Sequence, residues 1–190
     1  MSHSFLAIDF ETANYSSESA CSIGLVRVES NRIVAQMHEL IRPPQKEFCF
    51  TRIHGITWKH VEASPTFEGI WLKLQPLFRG VDFIVAHNVG FDKRVLQACC
   101  KRYGIVLPEY QYQCTVQLAR KHLNLYPTNL PAVCQALNIP LKHHDAISDA
   151  LACAKIAMTV FQQNPFVLPE PVVQRKPRTQ TRSRRLDLSN

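Results

Sequence analysis

No two cysteines stand in C-x-x-C spacing, although there are seven: Cys21, Cys49, Cys99, Cys100, Cys114, Cys134 and Cys153. An odd count, with several thiols at apolar strand or helix positions, excludes a disulfide scaffold and offers no zinc pattern, so reduced thiols are expected. No apolar run is long enough to cross a bilayer, and no charged-then-apolar leader opens the chain; the expectation is a cytoplasmic protein without membrane contact. Internal repeats are absent too. What is present is an ordinary globular composition, 46% hydrophobic and 19% charged over 190 residues, enough for one domain with a real core.

Acidic residues are the scarcer charge, 15 against 22 lysines and arginines, for a net charge of +7. The excess is uneven. Residues 166–190 hold six basic and two acidic side chains, +4, which leaves +3 for the rest. With Pro165, Pro169, Pro171 and Pro177, residues 165–190 read as a Pro-rich basic tail expected to be disordered. Its cations could neutralise nucleic-acid phosphates or simply be solvated. Residues 1–164 form the expected domain.

Within that domain Phe5–Thr12 begins as an apolar strand. Ala20–Val28 and Ile33–Ile41 follow as strands joined by a hairpin turn at Glu29–Arg32. Ser64-Pro65 reads as a helix N-cap followed by proline at the first position. Phe67, Ile70, Trp71, Leu74, Leu77 and Phe78 then recur at helical spacing, with Pro76 expected to kink or shorten the helix. Phe83–Ala86 is a short apolar strand, followed by a helix from about Val89 with Gly104 as its cap. Tyr112–Cys114 is another strand leading into a helix through Leu118 and Ala119, and Leu130–Leu137 is a short helix. A final helix starts near Asp145 and buries Ile147, Leu151, Ala154, Met158 and Phe161. The order predicts an α/β fold: a mixed five-stranded sheet, three antiparallel strands first, flanked by helices.

Three segments carry candidate chemistry. Asp9 and Glu11, two apart on a strand, share a face, where two carboxylates repel and resist desolvation unless a hard divalent cation relieves both. Taken singly, the stretch could equally be a strand ending in a polar turn. His87-Asn88-Val89-Gly90-Phe91-Asp92 leads from a strand into a helix; Asp92 suits the helix dipole, and Asn88 could be only a cap. His143-His144-Asp145-Ala146-Ile147-Ser148-Asp149 opens the last helix. There spacing alone leaves either histidine, and either Asp145 or Asp149, as the functional one.

Together, D-x-E-T, H-N-x-x-F-D and H-x-x-x-x-D resemble the DEDDh exonucleases, the group that includes replicative proofreading subunits, exonuclease X and ribonuclease T. The resemblance runs from about Phe5 to Phe161. It also takes in Ile53-His54-Gly55-Ile56-Thr57, Cys114–Arg120 and Asn129–Ala132. It implies a ribonuclease-H-like fold and two Mg²⁺ or Mn²⁺ ions held by Asp9, Glu11, Asp92 and Asp149. His144 is implied as general base, and Asp145 is left as the helix cap. The family often has Thr where this chain has Phe10, a position that lends only a backbone carbonyl. Thr12, His54, Ile56 and Asn88 are implied substrate contacts. The implied activity is release of nucleoside monophosphates from a nucleic acid 3′ end. DNA is favoured over RNA, with a polymerase or other protein as a possible partner. The same chemistry on RNA ends, or a non-catalytic polymerase-associated binding module, are the alternatives.

Overall fold

The computed structural model describes residues 3–164, so the expectation for the basic tail lies outside the described residues. Five strands form one sheet in the order β3-β2-β1-β4-β5. β1 (Ser4–Thr12), β2 (Ala20–Glu29) and β3 (Arg32–Leu40) run antiparallel. β4 (Phe83–Ala86) and β5 (Gln111–Cys114) add on parallel to β1. This is the mixed sheet that the element order predicts.

Side-chain alternation sorts the strands onto two cores. Leu6, Ile8 and Phe10 of β1 join Ile23, Leu25 and Ile84 against α3 (Phe67–Phe78) and α4 (Gly90–Arg102). Phe5 and Ala7 join Val26, Val28, Phe83 and Val85 on the other face. There α5 (Thr115–His122), α6 (Leu130–Ala136) and α7 (Ala146–Gln163) cover the sheet. The β2–β3 hairpin turns at Ser30 and Asn31, both at positive φ (49° and 58°), as a two-residue turn of this hand demands. Among the described residues no helix is long and apolar enough to cross a membrane.

Two expected caps change, and Pro76 falls near the end of its helix. α3 is capped by Thr66, not Ser64; the Thr66 hydroxyl accepts the Gly69 N–H at 3.3 Å, and Pro65 lies outside the helix, where its carbonyl accepts the Arg42 N–H at 2.9 Å. Pro76 sits inside the last turn. The carbonyls exposed there, of Leu77 and Arg79, accept from the Arg27 guanidinium at 3.0 and 2.7 Å, a side-chain cap on the helix end. The cap of α4 is Tyr103, and Gly104 follows at φ 63°, the left-handed residue one step beyond. Two four-residue helices, α1 (Thr51–His54) and α2 (Trp58–Val61), lie between β3 and α3. They are too short to show a period.

β1 does not end at Asp9. It stays paired with β2 through Glu11, opposite Ser22, and its register slips only between Glu11 and Thr12. Asp9 stands opposite Gly24. A Cβ on Gly24 would lie 2.0 Å from the Ala146 carbonyl oxygen, so the start of α7 rests directly on the backbone of β2. The buried side of α7 is rich in small residues, among them Ala150, Ala152, Ala154 and Ala157, and this lets the whole helix lie close to the sheet. Glycine and alanine thus bring the first turn of α7 to the acidic end of β1.

Candidate active site

A cleft of about 290 Å³ opens where β1 ends, bounded by the first turn of α7 and by α1. Asp9, Glu11 and Asp149 each offer an oxygen, and these lie within 4.8 Å of one another. Asp92 reaches β1 from the first turn of α4, where its Oδ1 accepts the Phe10 N–H at 3.0 Å. Asp145 caps α7 by accepting the Ser148 N–H and pairs with Lys142 at 2.9 Å. It is not one of the three acids whose oxygens cluster, and its carboxylate is engaged as the helix cap, although its charge still reaches Asp9 and Glu11.

Burial and mutual repulsion govern these acids. Asp9 is held well above its ordinary pKa by burial and then by Asp92, Asp149 and Glu11. Burial, with Asp149 behind it, lifts Glu11 to about 7. Burial lifts Asp92 to about 8, against the pull of its backbone hydrogen bonds. Asp149 is raised by burial and partly restored by hydrogen bonds from His144 and His143. Its Oδ1 is buried without a hydrogen-bond partner. A buried acceptor left bare beside two other acids is what a cation would satisfy. Carboxylate oxygens are a hard donor set, suited to Mg²⁺ or Mn²⁺, and the residues present fit that class of ion.

Histidines ring the cleft. His144 sits at φ 65° and donates its N–H to Asp149 Oδ2 at 3.1 Å. Burial and the neighbouring His143 lower its pKa, which keeps the imidazole neutral near pH 7. His54 accepts the Ile56 N–H on Nδ1 at 3.0 Å, so its proton is on Nε2, which donates to the Thr12 carbonyl at 3.1 Å. Both nitrogens are engaged, and only the ring face is free for a ligand. Thr12 and His54 line the cleft.

Ile56 and Asn88 do not line it. Ile56 packs beside Ala13, Cys21 and Val61, and its carbonyl accepts the Thr51 hydroxyl at 2.8 Å. Asn88 occupies φ 59° in the β4–α4 turn, a conformation asparagine tolerates; Val89, not Asn88, is at the cap position. In their place Phe50, Ile53, Phe91 and Leu130 give the cleft an apolar rim. His87, which the candidate set omits, also lines it; its Nδ1 lies 2.8 Å from the Thr115 hydroxyl, and burial drives its pKa down to about 4. Its place directly after the all-apolar β4 was the available signal. Phe50 had none, because a four-residue helix shows no period, while Ile53 falls in a segment that carries the resemblance.

A larger cavity, about 480 Å³, lies beyond the opposite end of β4, between α3 and the loop before β5. Among the described residues it holds no metal-competent cluster. The candidate carboxylates and histidines line the smaller cleft.

Comparison with known proteins bears on the fold and the family. The RNase T family profile, described as Exonuclease, matches residues 6–157. A PolC-type DNA polymerase III of Thermotoga maritima is 31% identical over 159 residues, 80% of this chain and 11% of that protein. The 3′–5′ exonuclease DinG of Bacillus subtilis is 29% identical over 120 residues, 61% of this chain and 13% of DinG. The chain therefore spans only a small part of the curated relatives it matches. Among solved structures, exonuclease X in complex with 5′-overhanging duplex DNA superimposes with a TM-score of 0.65 at 26% identity, covering 85% of this chain and 93% of that one. The nuclease domain of 3′hExo, a DEDDh protein bound to rAMP, shares the fold with a TM-score of 0.72 at 16% identity, covering 85% and 92%.

Proposed function

The chain belongs to the RNase T family of exonucleases, DEDDh hydrolases of the 3′–5′ type, and from that premise we propose that it removes nucleoside monophosphates from the 3′ ends of DNA. The observation that carries the proposal is the meeting of Asp9, Glu11 and Asp149 around a bare buried oxygen, with Asp92 on the adjoining backbone. In this reading Asp9, Glu11, Asp92 and Asp149 hold two Mg²⁺ or Mn²⁺ ions. Such a pair, when bound, supplies Lewis acidity to the attacking water and charge compensation at the leaving 3′ oxygen.

The remaining work falls to side chains. His144, neutral near pH 7, accepts the proton of the attacking water. Phe50, Ile53, Phe91 and Leu130 seat the terminal nucleoside and exclude water around it, and the free face of His54 stacks on the base. Thr12 touches the same nucleotide. None of these contacts reads a base edge, so end trimming in any sequence context follows.

DNA is favoured because a DNA polymerase and a DNA-bound exonuclease are among the relatives. The rAMP in the 3′hExo structure supports RNA ends as the second reading. A polymerase partner extends the first reading and is tested by co-purification. Matched 5′-labelled DNA and RNA oligomers, incubated with MgCl₂ or with EDTA, decide between the two. The expected result is a ladder shortening from the DNA 3′ end only with Mg²⁺. Shortening of RNA alone would transfer the activity to RNA, and release from neither would overturn it.

A further inference from the structure

Asp149 is held by more than its place on α7. Its Oδ2 lies 2.9 Å from His143 Nδ1 and 3.1 Å from the His144 amide nitrogen, while Oδ1 has no hydrogen-bond partner. Both donors converge on one oxygen, which fixes the carboxylate plane and leaves the free lone pairs on the other. With a cation beside it Asp149 is ionised, so the proton of the short contact is on His143 Nδ1 and is donated to Oδ2.

The same ring lies flat on its neighbour. The His143 and His144 rings stack with centroids 3.8 Å apart at 23°. His144 occupies a left-handed conformation that costs a non-glycine residue about 1 kcal/mol, so its pose depends on what holds it. The holders are its own N–H to Asp149 and the face of His143. A separate metal site at His143, His144 and Asp149 has donor atoms within 4.8 Å of one another, yet near-parallel rings send their lone pairs side by side instead of toward one ion. The stack favours support.

We infer that His143 is a positioning residue with two separable tasks: its Nδ1–H sets the Asp149 carboxylate for the cation, and its ring face sets the imidazole of His144. This rests on the exonuclease reading above. Partners of metal-binding carboxylates typically change metal affinity or activity by about 10–100-fold when removed. His143 is partly exposed, its side chain 37% accessible, so substitution there leaves the core intact.

Three variants divide the tasks. His143→Asn keeps a donor near the Nδ1 position and loses the ring; His143→Phe keeps a ring face and loses the donor; His143→Ala loses both. Free Mn²⁺ is titrated against each protein by electron paramagnetic resonance without nucleic acid. Single-turnover nucleotide release is then measured at saturating Mn²⁺. Mn²⁺ binding is expected to weaken about tenfold in His143→Phe and His143→Ala and to change less than about twofold in His143→Asn. At saturating metal, release is expected to slow about tenfold in His143→Asn and His143→Ala, with His143→Phe close to the unaltered protein. Unchanged Mn²⁺ affinity in His143→Ala overturns the first task, and an unchanged rate in His143→Asn overturns the second. An unaltered protein that binds Mn²⁺ but releases no nucleotide overturns the exonuclease reading instead.

Discussion

The two ends of β1 are built on opposite principles, and α7 touches both. At the start of the strand Phe5 stacks on Phe83 with ring centroids 5.4 Å apart, and Phe161 of α7 sets its edge against each at 5.9 and 5.6 Å. Every surface there is matched. At the far end the same strand face carries Asp9 and Glu11, the same helix carries Asp149, and all three are raised in pKa by burial, Asp9 and Glu11 also by the neighbouring acids. One end stabilises the fold; the other stores repulsion that only a cation or protons can relieve. The difference teaches that one strand and one helix divide stability and site between their two ends, and each end can be broken alone.

The largest effect is expected at the acidic end. Asp9→Ala or Asp149→Ala should lower single-turnover release by roughly a thousandfold or more, while the melting temperature without metal stays level or rises, since a repelled buried acid is gone. Retained turnover in a clean preparation contradicts the site. Phe161→Ala reverses the pattern, costing about 3–5 kcal/mol in urea unfolding with Mn²⁺ affinity of the folded fraction unchanged. Gly24→Ala joins the two ends: its new methyl meets the Ala146 carbonyl. It should cost about 1–3 kcal/mol and also weaken Mn²⁺ binding as the first turn of α7 moves off. A loss of stability alone would separate the helix seat from the acids.

The smallest effect is a pH trend in the metal-free protein. Folded Glu11 holds its proton to about pH 7 and Asp92 to about 8, against ordinary values of 4.5 and 3.8. Between those limits the folded state binds more protons than the unfolded one, so these groups lose stability as pH rises. His87 works the other way: lowered to about 4 from 6.5, it loses stability as pH falls through that window. With acids in the majority, thermal melts should gain about a few degrees from pH 8 to pH 6, and added Mg²⁺ should stabilise more at pH 8. A melting temperature that climbs with pH without metal would mean that the acids are not crowded.

Much of this was legible in the chain. The apolar run into Asp9 and the Glu29–Arg32 turn announce their elements because tertiary packing agrees with local pattern. The period of α7 announces a helix but shifts its buried face, since Ile147, Leu151 and Met158 are only partly buried while Ala150, Cys153, Ile156, Ala157 and Val160 fill the core. The four acids were legible only through the resemblance to the DEDDh pattern, since spacing alone left Asp145 and Asp149 open. The approach of Asp149 to β1 depends on Gly24, whose role appears only once α7 lies on it. The apolar rim was not legible as a rim: Ile53, Phe91 and Leu130 fall in segments that carry the resemblance, but nothing in their pattern joins them into one wall, and Phe50 lies beside a helix of one turn. Ser64 and Thr66 are equally good caps by type, and only backbone geometry selects Thr66. His143 and His144 are chemically alike; the resemblance alone separates them in sequence, and the structure adds the His143–Asp149 contact and the ring stack.

The register slip just past Glu11 has a mechanical sequel. It turns the Thr12 carbonyl toward His54, whose other nitrogen is tied to the amide of Ile56. The α1 segment is therefore moored to the tip of the acid-bearing strand, by this bond and by the Cys49 and Phe50 amides on the Ala13 carbonyl at 2.7 and 3.2 Å. The apolar wall of the cleft and its carboxylates share one anchor.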